Sequence, residues 1–538
     1  MNFSRRKTIT LYLLLFTSLF AGAQTCPVIP LPNAFTKSEG TFILSNTTSI
    51  KSTSEQCKFL VDYFIQRTYS IKKIKINAAK HNSTSIEIKL IPAKNTANEE
   101  AYSLIINQKT VTLTSSSLHG LFNGVNSLLQ IILRANVAGD NKLQLACWNI
   151  QDAPAQEWRG FMLDESRHFF GKKIVEQLLD EMAFYKLNYF HWHLTDEPAW
   201  RIEIKKYPNL TAIGSAGDYE HRNGAKQFYT QEEIREIVAY AAKRFITIIP
   251  EIDMPGHATA ANRAYPQYSG GGTVQHPEFT FNPGLDSTYS YLTNILKEVA
   301  ALFPSKIIHI GGDEVSFGNE KWASDVHIKE LMQREHLTAL TDVEHYFIKR
   351  MADSIIKMGC TAAGWDEVAT SGLSSKNTLI FWWRHDHPEQ LKYALDKGFR
   401  VVECPRLPFY FDFVQRPQDK QGRRWGKSFN TIKNIYNFNS DSISASKNIK
   451  GYQAALWTEQ VRSVDRLYYM IFPRIVAVAE AAWTKNANKN FYDFNNRIDA
   501  LFPYWHARNI SFCNYKDDAQ KEIIDKIVPV KYLDNKAK

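Results

Sequence analysis

Two adjacent carboxylates, Asp313 and Glu314, end the run Ile307-Ile308-His309-Ile310-Gly311-Gly312-Asp313-Glu314. The apolar stretch predicts a buried parallel strand. The Gly pair predicts a sharp turn and a close backbone approach. Acids placed just past a buried strand cost free energy unless they are hydrogen-bonded or used. The position suits acid–base chemistry, because desolvation and neighbours push the pKa values of two carboxyl groups apart. A competing reading makes Asp313 a helix cap and Glu314 a solvated acid, and the pair alone does not choose between the two.

What must position such a pair can be read from the rest of the chain. Beyond Asp152-Ala153-Pro154-Ala155, short apolar strands are predicted at Gly160 to Leu163, Tyr189 to His193, Ile246 to Ile249, Ile307 to Ile310, Thr361 to Gly364, Leu379 to Trp382, Arg400 to Val402 and Tyr452 to Leu456. Amphipathic helices intervene. One runs from Lys172 to Leu187 with Val175, Leu178, Leu179 and Met182 on one face, and another opens on the capping box Thr230/Glu233. Eight such units predict an α/β fold, a (β/α)8 TIM barrel. A doubly wound sheet is the runner-up, disfavoured because polar motifs follow almost every strand instead of gathering at one switch point.

Residues 24–153 read as a small α+β domain. Ser85 to Leu90 alternates like a half-buried strand, Tyr102 to Ile106 and Val111 to Leu113 form a hairpin, and Leu118, Leu121, Phe122, Val125, Leu129 and Ile132 recur at helical spacing. The barrel is assigned to 154–505, and 506–538 to a helical or polar tail. Residues 1–23 read as a signal peptide: Arg5, Arg6 and Lys7, an apolar run from Ile9 to Ala21, then Ala21-Gly22-Ala23 as a small-x-small cleavage site. The expectation is an exported protein with no integral membrane span once the leader is removed.

The 538 residues carry 44% hydrophobic and 22% charged side chains, ordinary for a globular protein of two domains. Loss of the leader's three basic residues lowers the formal charge from +10 to +7. The remaining basic residues are dispersed among acids, so no nucleic-acid partner is expected. The one dense patch, Arg423-Arg424-Trp425-Gly426-Lys427, reads as a solvated loop. Cys26, Cys57, Cys147, Cys360, Cys404 and Cys513 are scattered without a CxxC, which points away from a zinc ribbon. Export permits disulfides, and a Cys26–Cys57 bridge is a possibility that spacing cannot establish.

In a barrel the C-terminal strand ends converge on one mouth. Read in order, they bring Asp164, Ser166, Arg167 and His168; His191-Trp192-His193-Leu194-Thr195-Asp196; Glu251, Asp253 and His257; Asp313-Glu314; Trp365-Asp366-Glu367; Trp382-Trp383-Arg384; Tyr410-Phe411-Asp412; and Trp457-Thr458-Glu459. Acids, a histidine and several Trp around one mouth suit a sugar: pyranose C–H faces stack on aromatic walls, and hydroxyls need fixed polar partners. Cleaving a glycosidic bond needs a general acid for the leaving oxygen.

At these residues the chain resembles the family-20 glycoside hydrolases, exo-acting β-N-acetylhexosaminidases, from residue 24 to about 505. The most specific stretches are Trp158 to Phe170, His191 to Asp196, Pro250 to His257 and His309 to Glu314. The resemblance implies terminal N-acetylhexosamine (GlcNAc or GalNAc) on oligosaccharides or glycoconjugates as substrate, no cofactor, no metal, and retention by the substrate's own 2-acetamido group. It implies Glu314 as the acid and then the base, and Asp313 as the acceptor of the acetamido N–H. It places His257 against Glu314 with Asp196 behind it, and the Tyr410 hydroxyl on the acetamido carbonyl. Arg159, Asp412 and Glu459 are implied to hold sugar hydroxyls, and Trp365, Trp383 and Trp457 to wall the pocket, with Trp382 competing for the place of Trp383. Arg167 and His168 read as buttresses of the mouth, and Asp253 as a partner of the site or a turn former.

Two departures stand out. Asp196-Glu197-Pro198-Ala199-Trp200 replaces the family's usual Asp-Asp-Gln-Gly-Trp, which bears on the outer subsite, and Tyr410-Phe411-Asp412 replaces a commoner Tyr-Leu-Asp. The rival chemistry is metal hydrolysis, since His191, His193, His257, His309 and Asp313 include metal-ligand types. A conventional retaining glycosidase and a non-catalytic sugar-binding protein are two further rivals.

Overall fold

The computed structural model describes residues 26–76, 84–92, 98–139, 141–439 and 446–528. The leader read at 1–23 lies outside them. Eight parallel strands close into a barrel: Trp158–Asp164, Tyr189–His193, Thr247–Glu251, Ile307–His309, Thr361–Trp365, Thr378–Trp382, Arg400–Glu403 and Ile449–Leu456, the last pairing with the first. All eight predicted strands are present, each within a few residues of its expected bounds. The sheet is buried on both faces, which is why its strands read as continuous apolar runs rather than alternating ones. Helices cover the outside. Lys172–Phe184 buries the predicted Val175, Leu178, Leu179 and Met182, and Gln231–Ala242 opens on the Thr230/Glu233 capping box. The fifth crossover departs from the pattern, with only a 3-10 turn, Asp366–Thr370, in place of a helix.

The smaller domain is a seven-stranded sheet in which Ala34–Ser45 pairs with Lys142–Asp152, and Tyr102–Ile106 and Thr110–Ser115 form the predicted hairpin. Helix Leu118–Leu133 is buried on almost every side, since the sheet covers one face and the barrel another. Phe122 on this helix lies 5.4 Å from Phe245, just before the third barrel strand, and Gln130 donates to the Phe184 carbonyl at 2.9 Å. The sheet domain therefore docks on the N-terminal end of the barrel and leaves the opposite mouth open.

Two readings that the sequence left open take one form among the described residues. The tail is not helical beyond Leu501–Ala507 among the described residues. Instead Gln520, Glu522 and Asp525 strap it to the Arg416, Gln421, Ser463 and Arg466 region through polar contacts of 2.8–3.1 Å. All six cysteines are buried and unpaired, so Cys26 and Cys57 form no bridge.

Candidate active site

The fourth strand, Ile307–His309, delivers the acid pair through the predicted Gly turn. Gly311 and Gly312 have φ of +66° and +87°, and a Cβ on Gly311 would lie 1.7 Å from Asp253 Oδ1. Side chains are excluded there, so Asp253 packs against bare backbone. Glu314 and His257 also adopt left-handed φ of 54°, a strained conformation for non-glycine residues that turns both side chains toward the mouth. His257 Nε2 lies 3.8 Å from both Asp313 Oδ2 and Glu314 Oε2. Its Nδ1 is 3.1 Å from Asp196 Oδ1. The bland reading of the pair is thereby replaced: Asp313 caps no helix, and Glu314 faces a cavity.

The cavity, about 1310 Å³, opens at the C-terminal strand ends. Its walls contain Asp196, His257, Asp313, Glu314, Trp383, Tyr410, Asp412, Trp457 and Glu459, nine of the eleven site residues expected from sequence. Trp365 lies directly beneath as the floor: it is buried, 5.9 Å from the Trp457 ring, and donates its indole N–H to Glu251 at 2.9 Å. Trp383 and Tyr410 stack in parallel at 6.2 Å. Trp382, one residue earlier, points out of the barrel into the helix layer, because successive strand residues face opposite sides.

Arg159 is the exception. It sits near the start of the first strand, five residues before Asp164, or about 16 Å from the mouth at the usual rise per residue. Its guanidinium forms a fork with Glu100 of the sheet domain, donates to the Lys186 carbonyl and lies over Trp483. It therefore ties the two domains together and cannot hold a ligand at the mouth. Arg167 stands there instead: its Nη1 is 2.6 Å from Asp196 Oδ2, and it lies over Trp457 at 5.1 Å. His168 has the buttressing part, with Nδ1 2.6 Å from the Thr458 carbonyl.

A second arginine enters from the patch read as a solvated loop. Arg423 Nε lies 3.1 Å from Asp412 Oδ2, and its Nη2 2.8 Å from Glu459 Oε1. Its backbone N–H donates to the Asp412 carbonyl, which pins the loop to the mouth. Neither Asp412 oxygen receives a well-directed hydrogen bond, leaving both for ligand hydroxyls. Sequence offered only a weak signal for this role, an Arg-Arg-Trp cluster in a long insertion after the seventh strand.

Beneath the acid pair runs a chain of alternating charge. Glu251, at the end of the third strand, accepts from His193 Nδ1 at 2.6 Å, and has His191 Nε2 at 3.0 Å and His309 Nδ1 at 3.1 Å. His193 Nε2 then meets Asp196 Oδ2 at 2.9 Å, and Asp196 meets His257. Burial opposes charge on Glu251, His193, Asp196 and His257, yet their partners prevail. The imidazoles hold Glu251 well below the carboxylate range, while Glu251 and Asp196 hold His193 well above the imidazole range. Arg167 and His257 keep Asp196 ionised, and Asp196, Asp253 and Asp313 keep His257 protonated. His191 is the exception, its pKa lowered to about 4 by burial.

Among the described residues, His191, Glu251 and His309 offer ligand atoms within 4.8 Å of one another, as do Asp253, His257 and Asp313. In the first set both Glu251 oxygens also take ring N–H donors from outside it, His193 on one and Trp365 on the other.

Burial pushes Asp313 up to about 7, with His257 pulling the other way and Glu314 adding to the rise. Asp253 is driven above its usual range by burial and by Asp313. Asp412 is raised to about 7 by burial against the pull of Arg423. Burial also keeps the Tyr410 phenol protonated, an available donor. The mouth thus combines a half-buried acid, a desolvated carboxylate next to it, a phenol donor, an aromatic floor and acid–arginine partners for hydroxyls.

The family model "Glycosyl hydrolase family 20, catalytic domain" matches residues 156–486, and "Glycosyl hydrolase family 20, domain 2" matches 25–153. A beta-hexosaminidase of Porphyromonas gingivalis is 35% identical over 501 residues, covering 88% of this chain and 62% of that protein's length. One from Vibrio furnissii is 34% identical, covering 85% of this chain and 76% of the relative. Among solved structures, the GH20 exo beta-N-acetylglucosaminidase of Vibrio harveyi in complex with N-acetylglucosamine superposes with a TM-score of 0.82 at 29% identity, covering 91% of this chain and 79% of that one.

Proposed function

Because the chain belongs to glycosyl hydrolase family 20, we propose that it is an exo-acting, retaining β-N-acetylhexosaminidase that removes a terminal N-acetylhexosamine from the non-reducing end of a glycan. The observation that carries this reading is the Asp313–Glu314 pair with His257 3.8 Å from each, set above an aromatic floor.

The acetamido oxygen attacks the anomeric carbon as the bond to the leaving oxygen breaks, and Glu314 gives that oxygen its proton. The resulting oxazolinium-type ring is opened by water, whose proton returns to Glu314. Asp313 accepts the acetamido N–H and faces the positive charge as it develops. That hydrogen bond favours the ionised carboxylate and offsets the desolvation imposed by its buried setting. Tyr410 donates to the acetamido carbonyl oxygen and orients it. Trp365, Trp383 and Trp457 enclose the methyl group and exclude water, while Arg167, Asp412, Arg423 and Glu459 grip the ring hydroxyls. His257, kept charged by Asp196, returns a cation to a site otherwise crowded with carboxylates.

A panel of aryl β-glycosides with and without the 2-acetamido group tests the reading, together with a thiazoline mimic of the cyclised intermediate. Turnover restricted to acetamido substrates and tight thiazoline inhibition are expected. Equal rates on plain glucosides, or a sugar covalently attached to the protein, would refute it.

The two arginines provide a separate check. Arg167→Lys is expected to cost about tenfold or more in kcat/KM, since a point charge cannot replace a fork shared between Asp196 and a ligand. Arg159→Met is expected to lower Tm with KM unchanged, because it strands Glu100 at the domain boundary. The reverse pattern would restore Arg159 to the binding site.

The leader read at residues 1–23 makes export the fitting destination, periplasmic or secreted. Among the described residues no helix is long and apolar enough to cross a membrane.

A further inference from the structure

One end of the cavity is not used by the chemistry above. At about 1310 Å³ the cavity exceeds the roughly 300–1,000 Å³ of ordinary ligand pockets, which leaves room beyond the reacting sugar. The unused wall carries Glu197, the first residue at which the loop departs from the family's usual Asp-Asp-Gln-Gly-Trp, and His276, from the insertion after the third strand. Glu197 is buried, 4% exposed, and lies close enough to Arg167 to help hold that guanidinium charged. Its two oxygens take His276 Nδ1 at 3.0 and 3.1 Å, which fixes the ring and leaves Nε2 for a polar partner in the cavity.

The wall adjoins the acid. Phe279 packs edge-on against both His257, at 4.9 Å, and His276, at 5.3 Å, spacing the two imidazoles. Phe317 follows Glu314 by three residues on the 3-10 turn Val315–Phe317. Its ring is 49% exposed, and 6.3 Å from His276. A leaving group departs past the residue that protonates it, so what lies beyond Glu314 meets the aglycone. An oriented imidazole beside an open aromatic face is the recognition chemistry of a hydroxylated ring.

We propose that Glu197, His276 and Phe317 form the binding place of the leaving-group sugar, and that His276 is a specificity-determining residue for glycan over aryl aglycones. The assignment rests on the hexosaminidase reading. His276 Nε2 hydrogen-bonds a hydroxyl of the leaving sugar, Glu197 holds the ring in place, and Phe317 covers a C–H face.

The test compares a 4-nitrophenyl N-acetyl-β-glucosaminide with the β-1,4-linked N-acetylglucosamine disaccharide, identical in the reacting sugar. His276→Ala is expected to lower kcat/KM on the disaccharide roughly tenfold, the worth of one hydrogen bond, and to change the aryl glycoside by no more than about twofold, within the loss of a neutral contact. Phe317→Ala alters only an exposed ring, so its folding is secure, and it is expected to show the same selective loss. Trp425→Ala, in the loop across the mouth, serves as comparator. Equal losses on both substrates, no loss on either, or a disaccharide-selective loss in Trp425→Ala alone would overturn the proposal. Wild-type protein inactive on both substrates would instead defeat the hexosaminidase reading, and this assignment with it.

Discussion

Glu314→Gln is expected to lower kcat/KM on a glycan substrate by about 10²–10⁴-fold, the usual worth of a positioned general acid, with a far smaller loss on an aryl glycoside bearing a good leaving group. The glutamine amide keeps the shape of the side chain facing the cavity and loses only the transferable proton. A sugar alkoxide cannot leave without that proton, whereas a nitrophenolate can. Hydrolysis of the cyclised intermediate also needs Glu314, as base, but kcat/KM reports only the steps up to the first irreversible one. The comparison is therefore made on kcat/KM, where the second step does not enter. Parallel losses on both substrates would remove Glu314 from the acid role.

Asp313→Asn is expected to cost about 10²–10³-fold on both substrate classes, because it removes a preorganised charge from the acetamido group before the leaving group matters. The same change is expected to stabilise the fold. Burial raises the Asp313 carboxyl from 3.8 to about 7. Between those values the folded protein keeps a proton that the unfolded chain releases, so stability falls as pH rises through the window, and the full penalty stands above it. The penalty has a ceiling of about 4 kcal/mol, reduced because His257 loses a charged neighbour in the variant. The amide carries no such pH dependence. The Tm difference between variant and wild type should therefore be small near pH 4, grow toward pH 7 and level off above it. Ordinary aryl-glycoside rates in the variant, or a Tm below wild type at about pH 8, would contradict the assignment. A variant more stable and nearly inactive is the signature of a residue kept for chemistry at the expense of stability.

Much of the site was legible because barrel topology turns sequence order into spatial order: whatever follows each strand meets at one mouth. Glu314, Asp313, His257, Asp196, Tyr410, Asp412 and Glu459 all follow predicted strands, and all line one cavity. Trp365 and Trp457 end up as floor and wall on the same logic. The Gly pair announced its close approach, and Asp253 is what approaches.

Other assignments depended on distances that sequence does not contain. Arg159 and Arg167 belong to the same motif, eight residues apart, yet one holds the sheet domain and the other the cavity, because a strand runs through the barrel from one face to the other. Arg423 looked like loop surface until the chain after the seventh strand folded back onto Asp412. Glu251 reads in sequence as one more acid just past a strand end, and only closure of the barrel surrounds it with three imidazoles and an indole. By itself the sequence determined which chemical groups arrive at the mouth and in what order around it, since alternating strands and helices leave little other choice. The tertiary structure alone decided which of two like residues faces the ligand and which carboxyl is charged, because both depend on packing and desolvation between segments far apart in the chain.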